Sequence, residues 1–208
     1  MIFMDINLFP IKIFKGRIVP SPSEIDETND LFNDLQKYTD KGVWAGESGK
    51  SSGQLTKMLH EKHYEMHWIT RQTLKLVVDY WKDIKYSTEF DINLETCWVN
   101  FHEYGDTTAE HSHADGANRA EVSAVYYYSK DLLSGHIQFK NPLEYIHMLT
   151  PYVGSYEFSE DCWSTVPTET YDVLIFPSWL KHRTQPNFSQ QKRIAVSMNF
   201  QMVKYVSV

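Results

Sequence analysis

Cysteines, basic residues and long apolar runs are all scarce in this sequence. Its 208 residues include two cysteines, Cys97 and Cys162, which are far apart and form no C-x-x-C pattern. This arrangement excludes a disulfide framework and a zinc site built on thiolates. No apolar stretch is long enough to span a bilayer, and the first residues lack the basic, apolar and small-residue order of a signal peptide. We therefore expect a cytoplasmic protein without a membrane partner.

The balance of charge is acidic, with 20 Lys and Arg against 27 Asp and Glu and a formal net charge of −7. An acidic surface has no general attraction for phosphate backbones. A nucleic-acid partner is therefore not expected. The net charge does not exclude a nucleic-acid substrate held in a local groove. The 42% of hydrophobic residues is typical of a globular chain, and the length fits one domain. A homodimer is compatible with the sequence, but nothing in it requires one.

Two different periodicities divide the chain. Apolar residues recur every three or four positions at 30–38 and 55–84, which predicts helices, and the Gly- and Ser-rich stretch 42–53 is predicted as a loop. From Thr96 onward the period is two. Strands are predicted at 96–102, 122–128, 136–139, 172–176 and 193–202. We predict an α+β fold and a single domain over 1–208, in which the N-terminal strand and helices of 1–95 pack on the β-unit 96–208.

The last predicted strand has two unlike faces. One face is apolar and the other is small and polar, with Arg193 as its single cation. The apolar face carries Ile194, Val196, Met198, Phe200 and Met202, and the polar face carries Arg193, Ala195, Ser197, Asn199 and Gln201. The apolar face needs a cover, for which the helical segment 55–84 is suited. The polar face is either exposed to solvent or lines a cavity between two sheets.

The segment His113-Ala114-Asp115 is a candidate metal site. An imidazole and a carboxylate two residues apart can both reach one divalent ion, and His182, which follows an apolar strand and a turn, is the best third ligand. Two imidazoles and one carboxylate form a facial triad that favours Fe(II) and leaves positions open for substrate and O₂. A loop of exposed histidines is the alternative. Arg193, if it faces a cavity, needs an anion such as a carboxylate. Otherwise it is an ordinary surface arginine.

Together these motifs resemble the 2-oxoglutarate/Fe(II)-dependent oxygenases of the prolyl-hydroxylase type. The resemblance is strong over residues 96–202 and loose before them. It is carried by Tyr104-Gly105, His113-x-Asp115, Ser123–Tyr127, Gly135–Phe139 with Asn141-Pro142, Asp172–Leu180 with His182, and Arg193–Phe200. The chain is similar in particular to small oxygenases of this type from marine bacteria and their phages, which begin with a comparable Leu-Phe-Pro strand, here Leu8–Pro10. A phage-encoded chain would act in the host cytoplasm.

The resemblance implies a double-stranded β-helix, or jelly roll, with Fe(II) as metal and 2-oxoglutarate and O₂ as co-substrates. It implies that His113, Asp115 and His182 hold the iron, with His111 as an alternate ligand or a supporting group. Arg193 and Tyr127 would bind the distal carboxylate of 2-oxoglutarate. Ser197, Asn199 and Asn100 would assist in the same cavity.

The expected reaction is hydroxylation of a C–H bond of a small molecule, peptide or protein, with release of succinate and CO₂. Trp98, His102 and Tyr152 are candidate lining residues, and the insert 143–165 is a candidate lid. Two alternatives remain open: a non-catalytic jelly-roll protein that binds a metal or ligand, and a cupin-like dioxygenase that does not use 2-oxoglutarate.

Overall fold

The computed structural model describes residues 10–43, 46–84, 89–114, 119–143 and 162–204. The helices in these ranges are α1 (Pro22–Lys37), α2 (Leu59–Lys62) and α3 (His67–Asp83). The strands are β1 (Phe14–Arg17), β2 (Lys50–Ser51), β3 (Phe90–His102), β4 (Val122–Ser129), β5 (Ile137–Lys140), β6 (Trp163–Val166), β7 (Asp172–Pro177), β8 (His182–Thr184) and β9 (Arg193–Lys204). No helix of the described ranges is both long and apolar enough to cross a membrane.

The strands form two antiparallel sheets. The larger sheet has the order β1-β7-β4-β9-β3-β2, and the smaller one has the order β6-β5-β8. The segment 1–95 contributes β1 to the edge beside β7 and β2 to the edge beside β3. Side chains of β4, β7 and β9 pack together with Ile137 and Phe139 of β5. The two sheets therefore share a core, and any cavity between them is lined by both.

A second core lies between the larger sheet and the helices, and β9 shows how the sequence pattern produces it. Val196, Met198 and Phe200 of β9 are fully buried among residues of α1 and α3. The neighbouring positions of β9 face the other way. The predicted division of this strand into a helix-covered face and a cavity face is confirmed for these residues.

Helix α1 is longer than predicted, since it begins at Pro22 and not at Asp30. Ser21 caps the helix: its side chain accepts a hydrogen bond from the backbone of Glu24, whose carboxylate accepts one from the backbone of Ser21. Proline fits the first helical turn because its missing N–H would have no partner there. This capping box is readable in the sequence, since Ser21 and Glu24 stand three residues apart.

The helical segment predicted at 55–84 is interrupted. His63 has an extended backbone, with φ −134° and ψ 112°, so the long helix α3 begins only at His67. The buried positions of α3 include Ile69, Thr73, Val77 and Tyr80, which follow the spacing of three and four that the sequence shows.

Phe32 is the residue of α1 that joins the helix most directly to the larger sheet. Its ring makes edge contacts with Phe101 of β3 and Tyr128 of β4, at centroid distances of 5.9 Å and 5.0 Å. We expect Phe32→Ala to lower the free energy of unfolding by about 3–5 kcal/mol, because a buried aromatic side chain is replaced by a cavity. Urea denaturation measures this change. Tyr38→Ala, at a residue 66% exposed, is the control and should have little effect; equal losses would contradict the packing described.

Candidate active site

Three histidines meet where the smaller sheet approaches the segment that precedes β4. His111 and His182 form a β-bridge in which each backbone N–H donates to the other's carbonyl at 3.0 Å. The backbone N–H of His113 donates to the carbonyl of Ser178 at 2.9 Å. As a result, ligand nitrogens of His111, His113 and His182 all lie within 4.8 Å of one another. Such a cluster could hold a divalent metal ion.

The electrostatic state of these imidazoles suits metal binding. Burial, together with the charge of His111, lowers the pKa of His113 to about 3 and that of His182 well below its ordinary value. Neutral imidazole is the form that binds a metal. The Nδ1 atoms of His111 and His182 lie 2.8 Å and 2.9 Å from the carbonyl oxygens of Ala109 and Leu180. Because a carbonyl only accepts, Nδ1 carries the proton in both rings and Nε2 keeps a free lone pair.

The sequence placed His113 and His182 in the metal site and left His111 as an alternate, and the structure brings all three together. The overlapping pattern His111-x-His113 was the signal for the third histidine. Asp115 lies outside the described residues, so the aspartate ligand stays a prediction.

A cavity of about 310 Å³ extends from the three histidines into the space between the sheets. This volume is within the range of small-molecule sites. All five residues predicted for the co-substrate line it: Arg193, Tyr127, Ser197, Asn199 and Asn100. Trp98 and His102 line it as predicted. Tyr152 and most of the predicted lid 143–165 lie outside the described residues. Trp163–Thr165, at the end of that segment, belong to strand β6.

Within the cavity wall, Asn100 donates from its side-chain amide to the hydroxyl of Ser197 at 3.3 Å. Tyr127 is 2% exposed, and burial raises its pKa to about 12 against the opposing charge of Arg193. Its hydroxyl therefore stays protonated at neutral pH and is available as a hydrogen-bond donor.

Arg193 is 1% exposed, so the alternative of a surface arginine is wrong. Among the described residues, its guanidinium donates four hydrogen bonds, none of them to a carboxylate. The acceptors are the carbonyls of Ser134 and Gln185, the hydroxyl of Thr184 and Nδ1 of His102. A guanidinium has five N–H groups, so one N–H on Nη2 is left for a ligand. No carboxylate among the described residues forms an ion pair with this buried cation, which favours an anionic ligand.

Glu47 reaches the same network through His102, and sequence analysis gave it no role. Nε2–H of His102 donates to the Glu47 carboxylate at 2.6 Å while Nδ1 accepts from Arg193 at 3.4 Å. Burial opposes the ionisation of Glu47, but its hydrogen bonds with His102, Thr108 and Gly49 prevail and hold its pKa below the ordinary value. An imidazole thus links a buried carboxylate to the buried guanidinium. The segment 46–53 is consequently tied to the sheet, and a Cβ at Gly49 would lie 2.6 Å from the Phe101 carbonyl oxygen.

A second buried cation, Lys130, lies beside this network and predicts a dependence of stability on pH. Burial and the charge of Arg193 lower the pKa of Lys130 from 10.5 to about 8. Between these two pH values the unfolded chain carries a proton on Lys130 that the folded chain does not, so the folded state gains stability as pH rises. Urea denaturation across this range should show the wild type gaining stability relative to Lys130→Met. The exposed Lys192→Met is the control and should run parallel to wild type; a constant difference between wild type and Lys130→Met would contradict the prediction.

Comparison with known proteins agrees with this geometry. The family described as "Putative 2OG-Fe(II) oxygenase" matches residues 96–199, which is half of the chain. No curated protein matches the chain significantly.

Solved structures share the fold at low sequence identity. An alpha-ketoglutarate-dependent epimerase of nogalamycin biosynthesis has a TM-score of 0.61 and 16% identity, over 92% of this chain and 78% of the other. A prolyl-4-hydroxylase from Pseudomonas putida has a TM-score of 0.52 and 11% identity, over 92% of both chains. HygX from Streptomyces hygroscopicus, solved with nickel, 2-oxoglutarate and hygromycin B, has a TM-score of 0.59 and 12% identity, over 92% of this chain and 83% of the other.

These similarities confirm the predicted fold, a double-stranded β-helix with a helical layer on the larger sheet. The family match covers His111 and His113, which precede β4, and His182 of β8. It ends at Asn199, within the strand that begins with Arg193. The chain therefore belongs to the 2OG-Fe(II) oxygenase family, and it is a 2-oxoglutarate-dependent non-haem iron oxygenase with Fe(II) and 2-oxoglutarate as its cofactors.

Proposed function

We propose that this oxygenase hydroxylates a C–H bond of a small molecule, peptide or protein, with release of succinate and CO₂. One observation carries the proposal: a single cavity is lined at once by the three clustered histidines and by Arg193, a buried cation without an ion-pair partner among the described residues. A co-substrate that chelates a metal at one end and carries a carboxylate at the other fits both features.

His111, His113 and His182 are the proposed ligands of the iron. Their nitrogens are close together, and burial keeps His113 and His182 neutral. Three protein ligands would leave other positions on the ion for the keto acid and O₂. When bound, iron and the keto acid supply the oxidation: one oxygen atom of O₂ enters succinate and the other hydroxylates the substrate, while CO₂ is released.

Arg193 and Tyr127 are the proposed contacts for the distal carboxylate of 2-oxoglutarate. The guanidinium has one N–H left for a ligand, so its contact is a single charge-assisted hydrogen bond and not a two-pronged one. The second carboxylate oxygen needs another donor, which the protonated hydroxyl of Tyr127 in the same cavity supplies. The neutral network around Arg193 orients the guanidinium while its charge remains uncancelled by direct contact.

The identity of the substrate does not follow from the relatives. One similar structure is an epimerase from antibiotic biosynthesis and another is a prolyl hydroxylase. These differences within one fold mean that the substrate depends on residues outside the shared core. A cytoplasmic location and a homodimer stay predictions.

The ligand set predicts a ranking of metal affinities. We expect His111→Ala and His182→Ala each to weaken Ni²⁺ or Co²⁺ binding by at least about 100-fold. Each substitution removes a metal ligand, and the loss of a mere hydrogen-bond partner of a ligand already weakens metal affinity by about 10- to 100-fold. Asp115→Asn tests the aspartate ligand that the sequence predicts, since Asp115 lies outside the described residues. Isothermal titration calorimetry measures all three. A large loss in Asp115→Asn with little loss in His111→Ala would instead establish the triad His113, Asp115 and His182.

The role of Arg193 predicts selectivity between keto acids. Nickel-loaded wild type should bind 2-oxoglutarate more tightly than 2-oxovalerate, in which a methyl group replaces the distal carboxylate. Arg193→Met should weaken 2-oxoglutarate by about 10- to 100-fold, because one hydrogen bond between charged groups is lost, and leave 2-oxovalerate unchanged. Arg183→Met is the matched control, since Arg183 lies over the Trp163 ring at 4.2 Å and outside the lining of this cavity.

The same binding experiment separates the alternatives. Failure of 2-oxoglutarate to bind to the metal-loaded wild type would overturn the proposal in favour of a dioxygenase without this co-substrate. Binding without succinate formation under air and Fe(II), across a substrate screen, would favour a non-catalytic protein.

A further inference from the structure

Asn199 was predicted to assist co-substrate binding, but its contacts lie with the metal cluster. Its amide Nδ2 is 3.4 Å from Nδ1 of His113, and its Oδ1 is 2.9 Å from the hydroxyl of Ser123. The hydroxyl of Ser123 is in turn 2.8 Å from that of Ser178. All three of these polar residues are buried. Buried hydrogen bonds thus connect Ser178 and Ser123 to Asn199, and Asn199 to the ring of His113.

His113 differs from the other two histidines in what its Nδ1 meets. His111 and His182 each donate from Nδ1 to a backbone carbonyl, which frees Nε2 for a metal. Among the described residues, Nδ1 of His113 has Asn199 as its hydrogen-bond partner. For His113 to bind the metal through Nε2 in the same way, Nδ1 must carry the proton and needs an acceptor.

The amide of Asn199 can present either its NH₂ or its oxygen to this ring. The hydroxyl of Ser123 both donates and accepts, so it satisfies the amide in either orientation. With the oxygen turned to His113, the NH₂ donates to Ser123, and Ser123 donates to Ser178. Metal binding through Nε2 of His113 selects this orientation.

We propose that Asn199 is a positioning residue for the metal: its Oδ1 accepts a hydrogen bond from Nδ1–H of His113 and holds this ring in the metal-binding tautomer. The inference rests on the proposed three-histidine site. Ser178 contacts both His113 and the residues that hold Asn199. Its carbonyl accepts a hydrogen bond from the backbone N–H of His113, and its hydroxyl is hydrogen-bonded to that of Ser123, which binds Asn199. The backbone and the ring of His113 are therefore fixed by one residue of the turn that precedes His182.

The test compares two substitutions of opposite effect. Asn199→Asp places a carboxylate that can only accept, so Ni²⁺ or Co²⁺ affinity should equal or exceed that of wild type. Asn199→Leu removes the acceptor and should weaken the affinity by about 10- to 100-fold, the usual effect of losing an outer contact of a metal-binding histidine. Both are measured by isothermal titration calorimetry on the full chain without 2-oxoglutarate.

Gln201→Leu is the matched control. Gln201 has the same amide chemistry, lies two residues further along β9, and donates to the carbonyl of Arg119 and not to a histidine. Its substitution should leave the metal affinity unchanged. If Asn199→Leu does not fold, Ser123→Ala, which frees the amide from its anchor, should weaken the affinity in the same direction.

Two results would overturn the inference. Equal losses in Asn199→Asp and Asn199→Leu would mean that Asn199 donates to the ring, and an unchanged affinity in Asn199→Leu would mean that it has no role toward the metal. Long-range ¹H–¹⁵N spectra of the Zn²⁺-loaded protein report the tautomer directly, and protonated Nε2 on His113 would also overturn it. If wild type binds no divalent metal, the proposed function is overturned as well. The other results named above overturn only the inference on Asn199.

Discussion

Burial of the Arg193 guanidinium is the constraint on which the site depends. A cation without contact to water must have its N–H groups paired, because each unpaired donor costs free energy. The acceptors come from distant parts of the chain: the turn at Ser134, strand β8 and the residue after it, and His102 at the end of β3. These segments belong to both sheets, so the arginine is satisfied only when the sheets are packed together. The same packing encloses the cavity.

The opposite end of the cavity is governed by desolvation acting on histidines. Burial keeps His113 and His182 neutral, because a charged imidazole without a partner is costly to bury. The neutral form is also the one that a metal requires. The β-bridge between His111 and His182 fixes their backbones, and hydrogen bonds from Nδ1 to the carbonyls of Ala109 and Leu180 orient the two rings. The histidine cluster at one end and the buried cation at the other therefore suit the two ends of a chelating dicarboxylate. The contacts that hold the histidine cluster differ from those that hold Arg193.

Local patterns predicted the parts of this structure that depend on local physics. Alternation of apolar and polar residues along β9 follows from the geometry of a strand with two different faces, and it correctly separated Met198 from Ser197 and Arg193. The sequence left open whether 55–84 forms one helix or two, and the break lies at His63, where the periodicity continues in sequence although the backbone is extended. The start of α1 was missed because a capping box at Ser21 and a simple turn use the same residue types.

The sequence by itself determined which chemistry is present: histidines in an H-x-H-x-D pattern, a distant histidine after a strand, and an arginine on the last strand. The tertiary structure alone decided which of these groups meet and which others join them. Glu47 and His102 are 55 positions apart, and His113 and Asn199 are 86 apart. Such pairs depend on strand register and on the packing of two sheets, which no local pattern encodes. The buried hydrogen bonds that orient the cation and His113 are therefore properties of the fold and not of any motif.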